Sequence, residues 1–151
     1  MEMEGTGEEQ SIIRTFEDLD VWKVCRDLRT QIATMARTFP KEEQYRLRDQ
    51  LIRASRSATA NLAEGYGRFH YAENIQFARQ ARDSLYKIID HLTVAHEEKL
   101  ISDETFTLMR EDVLRAVLVV KGFIRYLSKA RTSSRGSRLT NNEAHGAISR
   151  V

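Results

Sequence analysis

The chain has 151 residues, with seven glycines, one proline and one cysteine, and 41% of it is hydrophobic. That is one domain's length, enough to bury a core, and so little Gly and Pro excludes a turn-rich β fold in favour of long helices. The formal net charge of +2 is a gradient: residues 1–15 sum to −3, residues 16–127 to +1 and residues 128–151 to +4, so net charge alone does not argue for nucleic acid.

Residues 1–15 form an acidic leader without periodicity, expected to be disordered. From Phe16 a helical pattern begins. Asp18 and Asp20 suit a helix N-terminus, and Trp22, Cys25, Leu28 or Arg29, Ile32, Ala36 and Phe39 recur at helical spacing. Pro40 closes this first helix, because the residue before a proline is pushed out of the α region. The lone Cys25 excludes an internal disulfide and reads as a small buried residue rather than a reactive thiol.

The second helix runs from Lys41 or Gln44 to Ala63. Leu47, Leu51, Ala54, Ala58 and Leu62 make one narrow stripe, with Asn61 at its edge. Small residues along it let neighbouring backbones approach closely. Gly65 is the expected C-terminal cap. Glu64 faces the negative end of the helix dipole, and reads either as a carboxylate compensated by Arg68 or another base, or as a solvated surface residue.

The third helix starts between Tyr71 and Glu73 and runs to Glu98. Its core stripe is Phe77 or Ala78, Ala81, Leu85, Ile88, Leu92 and Ala95, and a second stripe of Ile75, Arg79, Arg82, Tyr86 and Ile89 lies on its flank. The fourth helix has the clearest start: Ser102 as cap, Asp103 and Glu104 in the first turn, and Ile101 stapled to Phe106. Its segment Val113–Val120 is apolar nearly all round apart from Arg115, the pattern of a helix covered on more than one side, with another subunit as the second cover. Residues 131–151 are a basic tail containing Ser and Gly, expected to be disordered. Residues 16–130 are therefore read as one all-α domain, an antiparallel up-down-up-down four-helix bundle.

Catalytic chemistry finds no footing. The residues three before His91 and His96 are Ile88 and Thr93, which excludes the Glu-x-x-His pairs of a di-metal bundle. Gly65-Tyr66-Gly67 follows a helix and lacks the strand and third glycine of a phosphate loop. No grouping of Ser, His and acid has a motif around it. No catalytic residue, metal or cofactor is expected. What remains is a set of arginines, Arg48, Arg53, Arg56, Arg68, Arg79 and Arg82, near Tyr66, Phe69, Tyr71 and Tyr86. With a helical hairpin about Arg68, Ser57 falls near Gln80 and Arg53 near Asp83, and Arg56, Arg79 and Arg82 share one surface. Arginine with aromatics suits phosphate contact and base stacking; mixed charge on helix backs is equally ordinary solubilising surface.

Phe16-Glu-Asp-Leu-Asp-Val-Trp-Lys23, Phe39-Pro40, Gln50-Leu-Ile-Arg-Ala54, Ser57, Asn61-Leu-Ala-Glu-Gly-Tyr-Gly-Arg68 and Glu73 with Phe77, Ala81 and Ser84-Leu85 resemble the four helix bundle protein family, first met in intervening sequences of bacterial 23S rRNA genes. The likeness covers residues 16–128, with Asn61, Glu64, Gly65 and Gly67 in its most specific motif. It implies a bacterial, cytoplasmic homopentamer. It also suggests kinship with the accessory variability protein of diversity-generating retroelements, which would add a reverse transcriptase to RNA or single-stranded DNA as partners. Arg46 stands where the family usually has glycine, Arg56 among small or apolar positions, His70 where a capping serine is common, and Lys87 where glutamate is. Three of these four changes move the charge toward positive. The sequence thus points to a non-enzymatic bundle that binds nucleic acid through its arginines, with a protein-interaction scaffold as the alternative. No apolar run reaches the roughly 18 residues of a membrane span, and the acidic N-terminus is unlike a signal peptide.

Overall fold

The computed structural model of the chain describes residues 12–148. Four α-helices carry the architecture: α1 (Asp20–Ala36), α2 (Leu47–Tyr66), α3 (Tyr71–Glu97) and α4 (Asp103–Ile148), with single 3-10 turns at Phe16–Asp18 and Lys41–Glu43. No strand occurs among the described residues. Each helix packs on two neighbours in the cyclic order α1, α2, α3, α4, most extensively α2 on α3 and α3 on α4, and among the described residues the backbones do not approach closely across either diagonal. This is an all-α four-helix bundle.

The stripes read from the sequence are the core. Ile32, Leu51, Leu62, Leu85, Ile88, Leu92, Val113 and Val120 are fully buried, each contributing about 1.5–3 kcal/mol relative to an exposed side chain. Cys25 lies among them, and burial pushes its thiol up to about 12, so it is inert packing. Trp22 sits at the edge, its ring 5.3 Å from Phe16 and flanked by Arg26 and Arg29.

The helix ends depart from expectation in instructive ways. α1 stops at Ala36, before Pro40, because the chain turns inward to bury Phe39. α2 begins only at Leu47 and continues past Gly65 to Tyr66, with Gly67 at the cap. That extra turn moves the hairpin centre from Arg68 toward His70. Ser57 accordingly faces Ser84 rather than Gln80, and Arg53 lies beside Lys87 and His91 rather than Asp83. Gly65 is no cap. A Cβ there would come within 2.7 Å of Asn74 Oδ1 and 2.8 Å of Phe77 Cβ, so the glycine lets α3 cross at close range. Position 67 makes no such demand, since a Cβ would meet only carbonyl oxygens at 3.5 Å or more.

α4 runs as helix through Ile148, beyond the Ala130 at which the sequence ends the bundle. Of the leader, residues 1–11 lie outside the described residues. Its last part is anchored: Asp18 Oδ2 accepts the backbone N–H of Arg14 at 2.8 Å and of Thr15 at 3.2 Å, and these bonds hold its carboxyl below the usual range.

Candidate nucleic-acid interface

The α2–α3 seam explains the small residues. The hydroxyls of Ser57 and Ser84 meet at 3.0 Å, and Asn61 Nδ2 donates to the Ser57 carbonyl at 2.9 Å. Asn61 thus holds Ser57 within α2, and the Ser57–Ser84 bond crosses the seam. Arg68 Nη2 pairs with Glu64 Oε1 at 3.0 Å while Glu64 stays exposed, so the carboxylate is both paired and on the surface, and the guanidinium lies 5.0 Å from the Phe77 ring centroid.

The six arginines do not form one surface. Arg53 is exposed and pairs with Asp49 at 3.0 Å, on a shallow cleft with Gln50, Lys87 and His91. Burial holds His91 below its ordinary range, ahead of the opposing pull of Asp90 and the push of Lys87, so at neutral pH it adds no positive charge there. Arg56 is exposed on the back of α2, about 60° around the helix from Arg53. Arg48 falls on the flank of Ser55 and Thr59, the side toward α1, where Arg29 Nη1 donates to Thr59 Oγ1 at 2.9 Å. Arg79 and Arg82 are on the opposite flank of α3, toward α4, with Tyr86, whose ring lies 6.0 Å from Lys121 Nζ. The shared surface expected for Arg56, Arg79 and Arg82 is thus corrected. The α2–α3 seam separates Arg56 from the other two.

Arg79 lies on a cleft of about 480 Å³ with Glu73, Gln76, Ser128, Arg131 and Thr132. Neither Arg79 nor Arg131 has a carboxylate within ion-pair distance among the described residues, whereas Arg82 is half-buried and 3.7 Å from Asp83. Arg131 was placed in the tail on sequence grounds. Its spacing of seven and four from Ile124 and Leu127 is the signal that extends the helical face to it. The flank stripe is partly spent inside the chain, because α4 helps bury Ile75 and Ile89 packs on the core.

At the α2–α3 turn, a cavity of about 300 Å³ opens between Tyr66, Arg68, Phe69, Tyr71, Asn74 and Tyr126, with Leu19, Phe123 and Leu127 behind them. Phe69 is 89% exposed and Tyr126 65%. His70, the N-cap of α3, makes no side-chain capping bond, consistent with its standing where serine would cap. Asn74 Oδ1 is buried with no hydrogen-bond partner among the described residues. No group of three or more His, Cys, Asp or Glu among the described residues has a metal-holding arrangement.

The profile of the family described as 23S rRNA-intervening sequence protein matches residues 17–122. The chain belongs to that family. Among the curated proteins, no match was found. A solved structure from Bacteroides thetaiotaomicron VPI-5482, a protein of unknown function from the S23 ribosomal protein family, is similar in fold: TM-score 0.65 at 16% identity, over 70% of this chain and 95% of that one. At that identity the likeness speaks for the bundle alone. The family match ends in the middle of α4, so Phe123, Tyr126 and Arg131, which complete the aromatic cavity and the Arg79 cleft, lie beyond it.

Proposed function

We propose that this intervening-sequence family protein is a non-enzymatic, cytoplasmic RNA-binding bundle that holds ribosomal RNA or another single-stranded nucleic acid through arginines on α2, α3 and α4. The observation that carries this is the Arg79–Arg131 cleft, where two guanidinium groups lie on one groove without carboxylate partners among the described residues. Unpaired guanidinium groups are suited to phosphate oxygens, and the family's description ties its genes to 23S rRNA. Arg53 beside Lys87, and Arg68 at the turn, each paired with a carboxylate, are separate candidates for further phosphate contacts. No helix of the described residues is long and apolar enough to cross a membrane.

A salt titration tests it. If the arginines hold phosphates, log K falls linearly with log salt, with a slope of about −0.7 per contact for a single strand, and Arg79→Ala with Arg131→Ala flattens the slope by one to two contacts. A protein that does not retain RNA even at low salt ends this reading.

The scaffold alternative is favoured by one observation: Leu108, Leu118 and Tyr126 are 54%, 66% and 65% exposed on α4. In the pentamer implied by the family resemblance, other copies cover part of this face. If Arg79→Ala and Arg82→Ala dissociate the assembly in sedimentation instead of weakening RNA binding, the stripe is an interface. A reverse transcriptase partner rests on the resemblance to accessory variability proteins alone.

A further inference from the structure

We infer that the aromatic cavity at the α2–α3 turn takes an unpaired nucleobase of the bound RNA strand. The inference rests on the RNA reading above and says where a base, rather than the backbone, is held. The walls carry the argument. Phe69 and Tyr126 are 89% and 65% exposed, and Tyr71 is 43% exposed, on the rim of one cavity of about 300 Å³. A large apolar ring gains nothing from water, and several around one opening form a stacking platform for a flat partner. The volume is at the lower bound of ligand pockets, roughly 300–1,000 Å³, which suits a single ring system and not a folded partner.

The polar groups narrow the occupant. Arg68 lines the opening, 44% exposed in its side chain, and remains a cation available to a phosphate while paired with half-exposed Glu64. Asn74 also lines the cavity, but its Oδ1 is buried toward Gly65, where a Cβ would come within 2.7 Å of it, and supplies no contact to an occupant. Tyr66, Tyr71 and Tyr126 add hydroxyls that donate or accept. Aromatic faces, hydroxyls and one guanidinium are groups by which proteins read single-stranded RNA: stacking on the ring, hydrogen bonds to the base edge, charge on the phosphate. An aliphatic chain would leave the ring faces without a stacking partner. A protein helix would need a longer groove.

The test compares an oligoadenylate with an abasic oligonucleotide of equal length and charge, at one salt concentration, by fluorescence anisotropy. Stacking by one base predicts that the intact strand binds the wild-type protein about five- to a hundredfold more tightly. Phe69→Ala with Tyr126→Ala abolishes that difference while leaving abasic binding and the far-UV circular dichroism unchanged. Equal affinities for the intact and abasic strands in the wild type overturn the pocket and leave the backbone contacts standing. Absence of binding by either strand overturns the RNA reading itself. If adenosine monophosphate instead fills the cavity, seen as shifts of the Gly67 and Phe69 amides, while the intact strand gains nothing, the occupant is a free nucleotide and the assignment to RNA is wrong.

Discussion

The two ends of the bundle are joined in opposite ways. At the α3–α4 turn side chains as well as backbone close the chain on itself. Lys99 takes a left-handed φ of 61°, and the Leu100 N–H reaches back to the Ala95 carbonyl at 2.8 Å, which closes α3. Ser102 Oγ accepts the Thr105 N–H at 3.1 Å and opens α4. His96 then spans both helices, 2.6 Å from Asp103 Oδ1 and stacked on Phe106 with ring centroids 4.3 Å apart. The α2–α3 turn is closed by backbone bonds, Gly67 N–H to the Ala63 carbonyl at 3.3 Å and Arg68 N–H to the Gly65 carbonyl at 3.1 Å, and by the Arg68–Glu64 pair, but less completely by its other side chains. His70 does not cap with its side chain, Phe69 stands in solvent and the Asn74 amide oxygen is unpartnered among the described residues. Buried polar groups are normally satisfied, and large exposed rings cluster where something binds. The contrast separates an end whose side chains pair within the chain from one that leaves large rings exposed, the end at which we place the base.

The strongest way to strain that contrast is Gly65→Ala, beneath the open turn. Alanine gains about 1 kcal/mol in helix propensity, but the Phe77 Cβ at 2.8 Å is fixed to its backbone and must be displaced, and overpacking of this kind costs about 1–3 kcal/mol. The expected result is a net loss of up to about 2 kcal/mol in urea unfolding; a gain would show that α3 does not cross there so closely. At the closed end, His96→Ala removes the stack on Phe106 and should cost about 1 kcal/mol, the bond to fully exposed Asp103 adding little. Lys99→Gly relieves the left-handed backbone and should stabilise by about 0.5 kcal/mol, read as a raised thermal midpoint. The smallest effect is expected at the open end's most prominent ring. Phe69→Ala should leave stability within about 0.5 kcal/mol, because an 89% exposed side chain buries little. A large loss there would mean that the ring is structural and the open end is not open.

The four helices and their buried faces were legible in the sequence, because periodicity reports which side of a helix avoids water whatever packs against it. Leu47, Leu51, Ala54, Ala58 and Leu62 form a stripe before any partner is known, and all five are buried. Ser102 announced its helix for the same local reason. Register was not legible. Whether α2 ends at Ala63 or runs on to Tyr66 depends on how closely α3 approaches, a contact between residues of two helices, and those added residues set Ser57 against Ser84 and Arg53 beside Lys87.

The candidate site divides along the same line. The residue types, arginines and aromatics around Asn61–Arg68, stood in the sequence, with Arg68 only one of the partners open to Glu64; the structure pairs the two. Their grouping did not. Only the packed bundle puts Arg79 with Arg131 and Arg56 on a different face, and only it brings Tyr126 of α4 to the turn between α2 and α3. Sequence determines which face of each helix is wet, because that is a property of one segment; which wet faces adjoin is decided by the pairing of helices, a property of the whole chain.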